Sequence, residues 1–395
     1  MMTAFSVGRL PRVEFGAGAI RKLPELAASY GPRVLLVTGA RSFDNSSYGP
    51  ALLQALHAKG CSTSIVKVQG EPSPELVDDA VRAHHQGNIS VVIGVGGGSA
   101  IDAAKAIAGL LITGQSVLDH LEGVGPELPY RGPAVPFIAV PTTAGTGAEA
   151  TKNAVLSRQG VSGFKKSFRD DALVAQLALV DPDLMAGCSP ALIAANGMDA
   201  LTQLIESYVS TKSSPFSAAL ARSGLEAARG GLLAWHQGGA AASAAREQMA
   251  YAALLSGICL AQTGLGSVHG LASPLGAYFP IPHGVVCGTL LAAATEVNIA
   301  AMAQRQPQSI GLTRYAEVGR LLTGEHGRDD AEDRAALLGL LQRWTEQLAM
   351  PSLSALGVSA ADIGRIVAGS RGSSMKTNPI ALGDDEIASI LTARL

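Results

Sequence analysis

Aromatic residues are scarce in this 395-residue sequence, at 4% with only two Trp. So few large rings give no hint of the shape of a substrate pocket. Net charge is nearly absent, with 30 Lys and Arg against 32 Asp and Glu. That balance excludes a broad nucleic-acid footprint and a polybasic membrane anchor. There are four cysteines, Cys61, Cys188, Cys259 and Cys287, and none forms a C-x-x-C pair. Reduced, buried thiols in a cytoplasmic protein are expected. Long apolar runs are missing. The stretch 106–112 is too short to cross a bilayer, and longer ones are broken by charge, as at Glu296. The first residues lack a basic segment followed by a long apolar one, so neither a signal peptide nor a membrane partner is expected.

Apolar residues make up 47% of the chain, enough for a large core and too many for wholesale disorder. The length suits two or three domains. Glycine is abundant, 46 residues, or about 12% against an ordinary share of roughly 7%. These glycines follow no three-residue period. They suit tight turns and places where backbone must lie close to a ligand.

Strand and helix patterns alternate in the first half. Buried strands are predicted at Arg33–Gly39, Ser62–Val68, 90–95 and 136–141, and helices at 74–86 and 99–111. That alternation predicts a parallel sheet covered on both faces. Beyond about residue 185 the strand signals stop. Ala- and Leu-rich helical patterns follow at Pro190–Val209, 214–235, 241–263, 285–303, 312–322 and 330–348, with a polar connection over 323–330. The turn-forming Asp181-Pro182-Asp183 marks the change, which divides the chain into an α/β domain, 1–184, and an all-helical domain, 185–395.

Gly94-Val-Gly-Gly-Gly-Ser99 follows a predicted strand and opens a predicted helix. Its backbone N–H groups, including those of Gly97, Gly98 and Ser99, would face a phosphate at a helix N-terminus. The spacing is not that of the six-residue dinucleotide fingerprint. A second loop, Pro141-Thr-Thr-Ala-Gly-Thr-Gly-Ala-Glu149, also leaves a strand and offers three hydroxyls. Two such loops on one parallel sheet suit a cofactor in the sheet crevice.

Asp199 and Gln203 lie four apart in a helical pattern and share a face. His269 and His283 each precede a glycine. One carboxylate and two imidazoles suffice for a catalytic divalent metal with an open position, although two unrelated histidines would look the same. His57, His84, His85, His120, His236 and His326 stand in charged or helix-end contexts and are expected at the surface.

The order of these motifs resembles the iron-containing (group III) alcohol dehydrogenases over nearly the whole chain. The matching stretches are Gly94–Asp102, Pro141–Glu149, Leu179–Leu184, Gly197–Thr202, His269–Gly276 and Pro282–Gly284. The resemblance implies an N-terminal dinucleotide-binding α/β domain, a C-terminal all-helical domain in the dehydroquinate synthase-like architecture, and a site in the cleft between them. It implies hydride transfer between a nicotinamide cofactor, NAD or NADP, and an alcohol/aldehyde pair, assisted by ferrous iron or zinc. It places the metal at Asp199, Gln203, His269 and His283. The cofactor falls to Gly96, Gly97, Gly98, Ser99, Thr142, Thr143, Thr146 and Asn153. Lys165 matches a polar contact, but is expected to be a solvated lysine. Asp102 is expected to favour its helix dipole. Dimers are common in the family, so a homodimer is the expected assembly.

Three departures qualify the resemblance. Gln203 stands where the family usually has histidine. It can bind through its amide oxygen, leave a three-ligand site as in glycerol dehydrogenases, or weaken the metal altogether. Ser273 replaces a histidine thought to relay a proton; a hydroxyl can pass a proton but does not titrate near neutrality. Gly39 replaces an aspartate often found in NAD-preferring members. With no carboxylate to repel a 2′-phosphate and Arg41 nearby, NADP(H) is the favoured cofactor. Two other readings fit the sequence: a reductase of a polar oxo-acid, or a cofactor-binding protein whose metal site is lost. A lyase of the same fold fits the two loops less well.

Overall fold

The computed structural model describes residues 4–40, 42–160 and 163–395; Arg41 lies outside them. Among the described residues eight strands form: β1 (Arg12–Phe15), β2 (Arg33–Gly39), β3 (Ser62–Val68), β4 (Val91–Gly96), β5 (Phe137–Pro141), β6 (Asn153–Arg158), β7 (Phe164–Arg169) and β8 (Leu177–Val180). Six of them build one parallel sheet in the order β1-β8-β5-β4-β2-β3, and β6 and β7 pair as an antiparallel hairpin.

Alternation along β2 shows why the sheet needs helices on both faces. Leu35 and Val37 join a core with Val77 and Val81 of α3 (Pro74–His84) and Ile101 and Ile107 of α4 (Gly98–Leu110). Val34 and Leu36 point the other way, toward Leu23 and Ala27 of α1 (Leu23–Ala28) and Leu52 and Leu56 of α2 (Gly49–Ala58). A strand buried on both faces must be apolar at successive positions, as β2 and β4 are. The predicted α/β class for this half is borne out.

The rest of the chain is helical: α5 (Pro190–Val209), α6 (Pro215–Gln237), α7 (Ala242–Thr263), α8 (Ser267–Tyr278), α9 (His283–Arg305), α10 (Ile310–Thr323), α11 (Asp330–Gln347), α12 (Ile363–Gly369) and α13 (Asp384–Thr392). These share a single large core. Ser189 starts α5 by accepting from the Leu192 N–H at 3.3 Å, with Pro190 in the first turn. α5 is buried almost all round, with α6, α7 and α9 packed on it, so it is the central helix. α9 is long and apolar enough to cross a membrane by composition, but 72% of its most apolar window is buried inside the fold.

β1, β8, the β6–β7 hairpin and helices α1, α2, α8, α12 and α13 are not evident from the sequence pattern. β1 and β8 have four residues each, too few for a period. The hairpin strands carry Lys165, Lys166 and Arg169. α8 contains Gly270 and Gly276 and has Pro274 inside it. One surface expectation is corrected. His120 is buried, stacked on Phe168 at 5.4 Å, with its ring nitrogens bonded to the Leu128 carbonyl and Gln115. All four cysteines are free; Cys61, Cys259 and Cys287 are buried and Cys188 is half-buried.

Candidate active site

A cavity of about 440 Å³ lies where the carboxyl ends of β4 and β5 meet the helical half. One wall is the start of α4. Gly97 caps that helix without any side-chain bond; the Ala100 N–H donates to the Gly97 carbonyl at 3.0 Å, the N–H groups of Gly98 and Ser99 remain open, and Gly97, Gly98 and Ser99 line the cavity. A Cβ on Gly98 would lie 2.8 Å from Thr146. Thr143 and Thr146 line the same wall. Gly96 and Thr142 sit behind it, where the Thr142 N–H donates to the Gly96 carbonyl at 2.9 Å and ties the two loops together. Gly39 ends β2, and a Cβ there would meet Ser42 Oγ at 2.7 Å.

The second loop is pressed onto the helical half. Gly147 has a left-handed φ of 60°, and a Cβ on it would lie 2.4 Å from the Gly257 backbone in α7. Only glycine meets both demands. Lys105, fully buried in α4, holds the loop from behind. Its Nζ donates to the Ala148 carbonyl at 2.9 Å, Thr151 Oγ1 at 2.9 Å and the Asn153 carbonyl at 2.5 Å, and lies 3.4 Å from Asp102. Asp102 also accepts the Val155 N–H at 3.1 Å. It therefore pins the hairpin to α4, where the sequence suggested only a helix-dipole role. Burial lowers the Lys105 pKa, raises that of Asp102 and pushes Glu149 up to about 7. This clamp sets Asn153 at the cavity wall.

Across the cavity, α5, α8 and α9 converge. Asp199, His269, His283 and Cys287 offer ligand atoms that all lie within 4.8 Å of one another. His269 Nε2 is 3.2 Å and His283 Nε2 is 3.8 Å from Asp199 Oδ1. Burial opposes charge on Asp199, yet His283 and His269 facing it hold its carboxyl at about 2. Burial drives His283 down to about 4 and the Cys287 thiol up to about 12. Asp199 Oδ2 and His283 Nδ1 are buried without a hydrogen-bond partner. Unpaired buried polar atoms are costly, and a divalent cation in the cluster would satisfy the carboxylate. Gln203 lies beside the cluster and lines the same cavity. Its Nε2 donates to Asp199 Oδ1 at 3.1 Å, and its Oε1 accepts from Ser256 Oγ at 2.8 Å.

Ser273 lines the cavity from α8 and donates to the Lys165 carbonyl at 3.2 Å. Lys165 is not the solvated lysine expected. Its side chain is 10% exposed, lines the cavity and pairs with Glu71 at 3.1 Å. Arg169 on the same strand pairs with Glu122 at 3.4 Å.

An open helix N-terminus on a parallel sheet, facing a buried carboxylate–imidazole cluster across one cavity, defines a nucleotide-dependent oxidoreductase with a metal centre. Residues 11–182 match the iron-containing alcohol dehydrogenases, and residues 193–395 match the C-terminal domain of the Fe-containing alcohol dehydrogenase family. The chain belongs to that family, and it interconverts an alcohol with an aldehyde or ketone using a nicotinamide cofactor. It is 34% identical over 286 residues to alcohol dehydrogenase 4 of Saccharomyces cerevisiae strain YJM789, covering 72% of this chain and 73% of that protein. It is 30% identical over 347 residues to an NADPH-dependent butanol dehydrogenase of Clostridium saccharobutylicum, covering 87% and 84%. The solved structure of a 1,3-propanediol oxidoreductase superposes with a TM-score of 0.89 at 27% identity, covering all of both chains.

The residues that sequence reasoning missed act from inside. Cys287 lies one helical turn after His283. Glu206 lies seven residues after Asp199 on the same face of α5, and its Oε2 sits 2.7 Å from His269 Nδ1. The spacing could have shown both, had α8 and the start of α9 been read as helix. Lys105 gave a weaker signal, one lysine three residues after Asp102 in a largely apolar helix.

Proposed function

We propose that this chain reduces aldehydes to alcohols, and runs the reverse reaction, with NADP(H) preferred over NAD(H). Asp199, His269 and His283 hold a divalent metal, with Gln203 beside them. The observation that carries this reading is the unpartnered Asp199 Oδ2 in a buried cluster of donors within 4.8 Å of one another, which opens on the same cavity as the α4 N-terminus. When bound, the metal supplies Lewis-acid polarisation of the carbonyl, and the nicotinamide supplies the hydride.

The chain's own residues do the rest. Gly97, Gly98 and Ser99 receive the pyrophosphate on open N–H groups. Thr143 and Thr146 confine it from the second loop, and Asn153 faces the nicotinamide end. Ser273 passes a proton through its hydroxyl to solvent. Gly39 leaves room and no repelling charge for a 2′-phosphate, in keeping with the NADPH-dependent relative. Arg41 is the proposed cation for that phosphate.

Lys165, Lys166 and Arg169 line the cavity and would favour a substrate carrying a carboxylate. Glu71 and Glu122 pair with two of the three, which leaves Lys166 as the weaker case for a polar oxo-acid. We place the protein in the cytoplasm as a homodimer. The support for a dimer is the sheet edge at β1, where Phe5, Val7, Leu10, Val13 and Phe15 are all exposed.

The test is to strip the protein with chelator and follow NADPH and NADH oxidation with a panel of aldehydes and oxo-acids, before and after adding ferrous iron or zinc. Turnover restored by metal, faster in kcat/KM with NADPH and simple aldehydes, supports the reading. Nucleotide binding without turnover under any metal would sink it. Turnover confined to oxo-acids would transfer the case to Lys166.

A further inference from the structure

We propose, resting on the reading of Asp199, His269 and His283 as metal ligands, that Cys287 is the fourth. The site then offers one carboxylate, two imidazoles and one thiolate, and it selects zinc over ferrous iron. In a tetrahedral site, metal–ligand bonds of about 2.0–2.3 Å put nitrogen and oxygen donors roughly 3.3 Å apart, and nitrogen and sulfur roughly 3.6 Å apart. Here Cys287 Sγ lies 3.7 Å from His269 Nε2 and 3.8 Å from His283 Nε2. The imidazole–carboxylate separations are 3.2 and 3.8 Å. Four of the six donor separations are therefore close to the edges of one coordination shell, and the other two are within 4.8 Å.

Cys287 is set there by helix geometry. It follows His283 by four residues in α9, so the two side chains share a face one turn apart. A buried cysteine ordinarily packs as a small apolar residue. Cys259 does so, with the Ser217 carbonyl 3.5 Å from its sulfur. Cys287 instead faces two imidazole nitrogens. Gln203 shares its side-chain amide between Asp199 Oδ1 at 3.1 Å and Ser256 Oγ at 2.8 Å, whereas Cys287 Sγ has the two imidazoles beside it. Binding converts the Cys287 thiol to a thiolate and releases one proton to solvent. Soft thiolate ligands suit zinc, which also stands above iron in the affinity order for divalent ions.

The test uses the full-length protein, stripped and reloaded with one equivalent of metal. X-ray absorption on the zinc form should show one sulfur at about 2.3 Å. The cobalt form should show a near-ultraviolet sulfur-to-cobalt band that Gln203→Ala keeps and Cys287→Ser loses. Competition should show Cys287→Ser lowering the zinc-over-iron preference by on the order of tenfold or more. One bound metal with only nitrogen and oxygen neighbours and no charge-transfer band overturns the Cys287 assignment and leaves the three-ligand reading standing. Failure of the wild-type protein to hold either metal overturns both. The absorption measurement needs no variant, so a folding defect in Cys287→Ser cannot decide the outcome.

Discussion

Glu206 Oε2 sits 2.7 Å from Nδ1 of His269, and that contact decides which edge of the imidazole faces Asp199. With Nδ1–H given to the carboxylate, Nε2 keeps its lone pair for the cluster. Glu206 also accepts the Val268 N–H at 2.8 Å through its other oxygen, which fixes the start of α8. Glu206→Ala should weaken zinc binding by about 10- to 100-fold, the usual effect of losing such a partner. Glu206→Gln, which keeps an acceptor oxygen, should fall between. Competition with a chromophoric chelator measures both, and unchanged affinity in Glu206→Ala would show that His269 needs no such orientation.

Cofactor choice is expected to turn on Gly39. An aspartate there would stand against a 2′-phosphate and accept from a 2′-hydroxyl. Gly39→Asp should lower kcat/KM for NADPH by at least about tenfold, since opposed like charges cost several kcal/mol, and should raise it for NADH. Because a Cβ at this position meets Ser42 Oγ at 2.7 Å, Gly39→Ala is the control. The Ser42 hydroxyl can turn aside, so that variant should leave the NADPH/NADH ratio within a few-fold. Equal losses in the two variants would mean that space, not charge, governs the site.

The sheet was readable where burial on both faces made strands continuously apolar, as in Val91–Gly96, and the bundle where Ala and Leu recur over five turns, as in Pro190–Val209. The glycine loop and the Asp199, His269 and His283 set were visible as motifs. The wall between them was not. The β6–β7 hairpin lines the cavity with polar residues, and a strand with Lys165, Ser167 and Arg169 on one face looks like any solvated segment. Pro274 and two glycines concealed α8, and with it the register that brings Glu206 to His269. Cys287 shows the limit of counting residue types, because a cysteine in an apolar helix reads as core until α8 brings His269 beside it, next to His283 one turn back on its own helix.

Lys105 should prove structural and functional together. Removing its charge while keeping its bulk, as in Lys105→Met, leaves the carbonyls of Ala148 and Asn153 without their donor. It also leaves Asp102 without its cation. Breaking a buried charge pair by deleting one partner costs about 3 to 5 kcal/mol. Urea unfolding should show a loss of that order, and KM for the nucleotide should rise because Asn153 is no longer held. A variant of wild-type stability would mean that the loop keeps its shape without the clamp.

Glu149 gives a pH dependence of definite sign. Burial raises its pKa from 4.5 to about 7, so between those values the folded chain keeps a proton that the unfolded chain releases. The stabilising protonated form is fully present below about 4.5 and is lost as pH rises through 7. At 1.36 kcal/mol per unit, the loss approaches roughly 3 kcal/mol by pH 8. Glu149→Gln imitates the protonated form and cannot ionise. Its stability relative to wild type, read from unfolding in urea at pH 4.5 and at pH 8, should therefore rise between the two by up to about 3 kcal/mol. Lys105 works against this, since its charge favours the carboxylate. If Glu149→Gln instead loses ground as pH rises, the lysine outweighs burial, and Glu149 is ionised across the working range beside a charged Lys105.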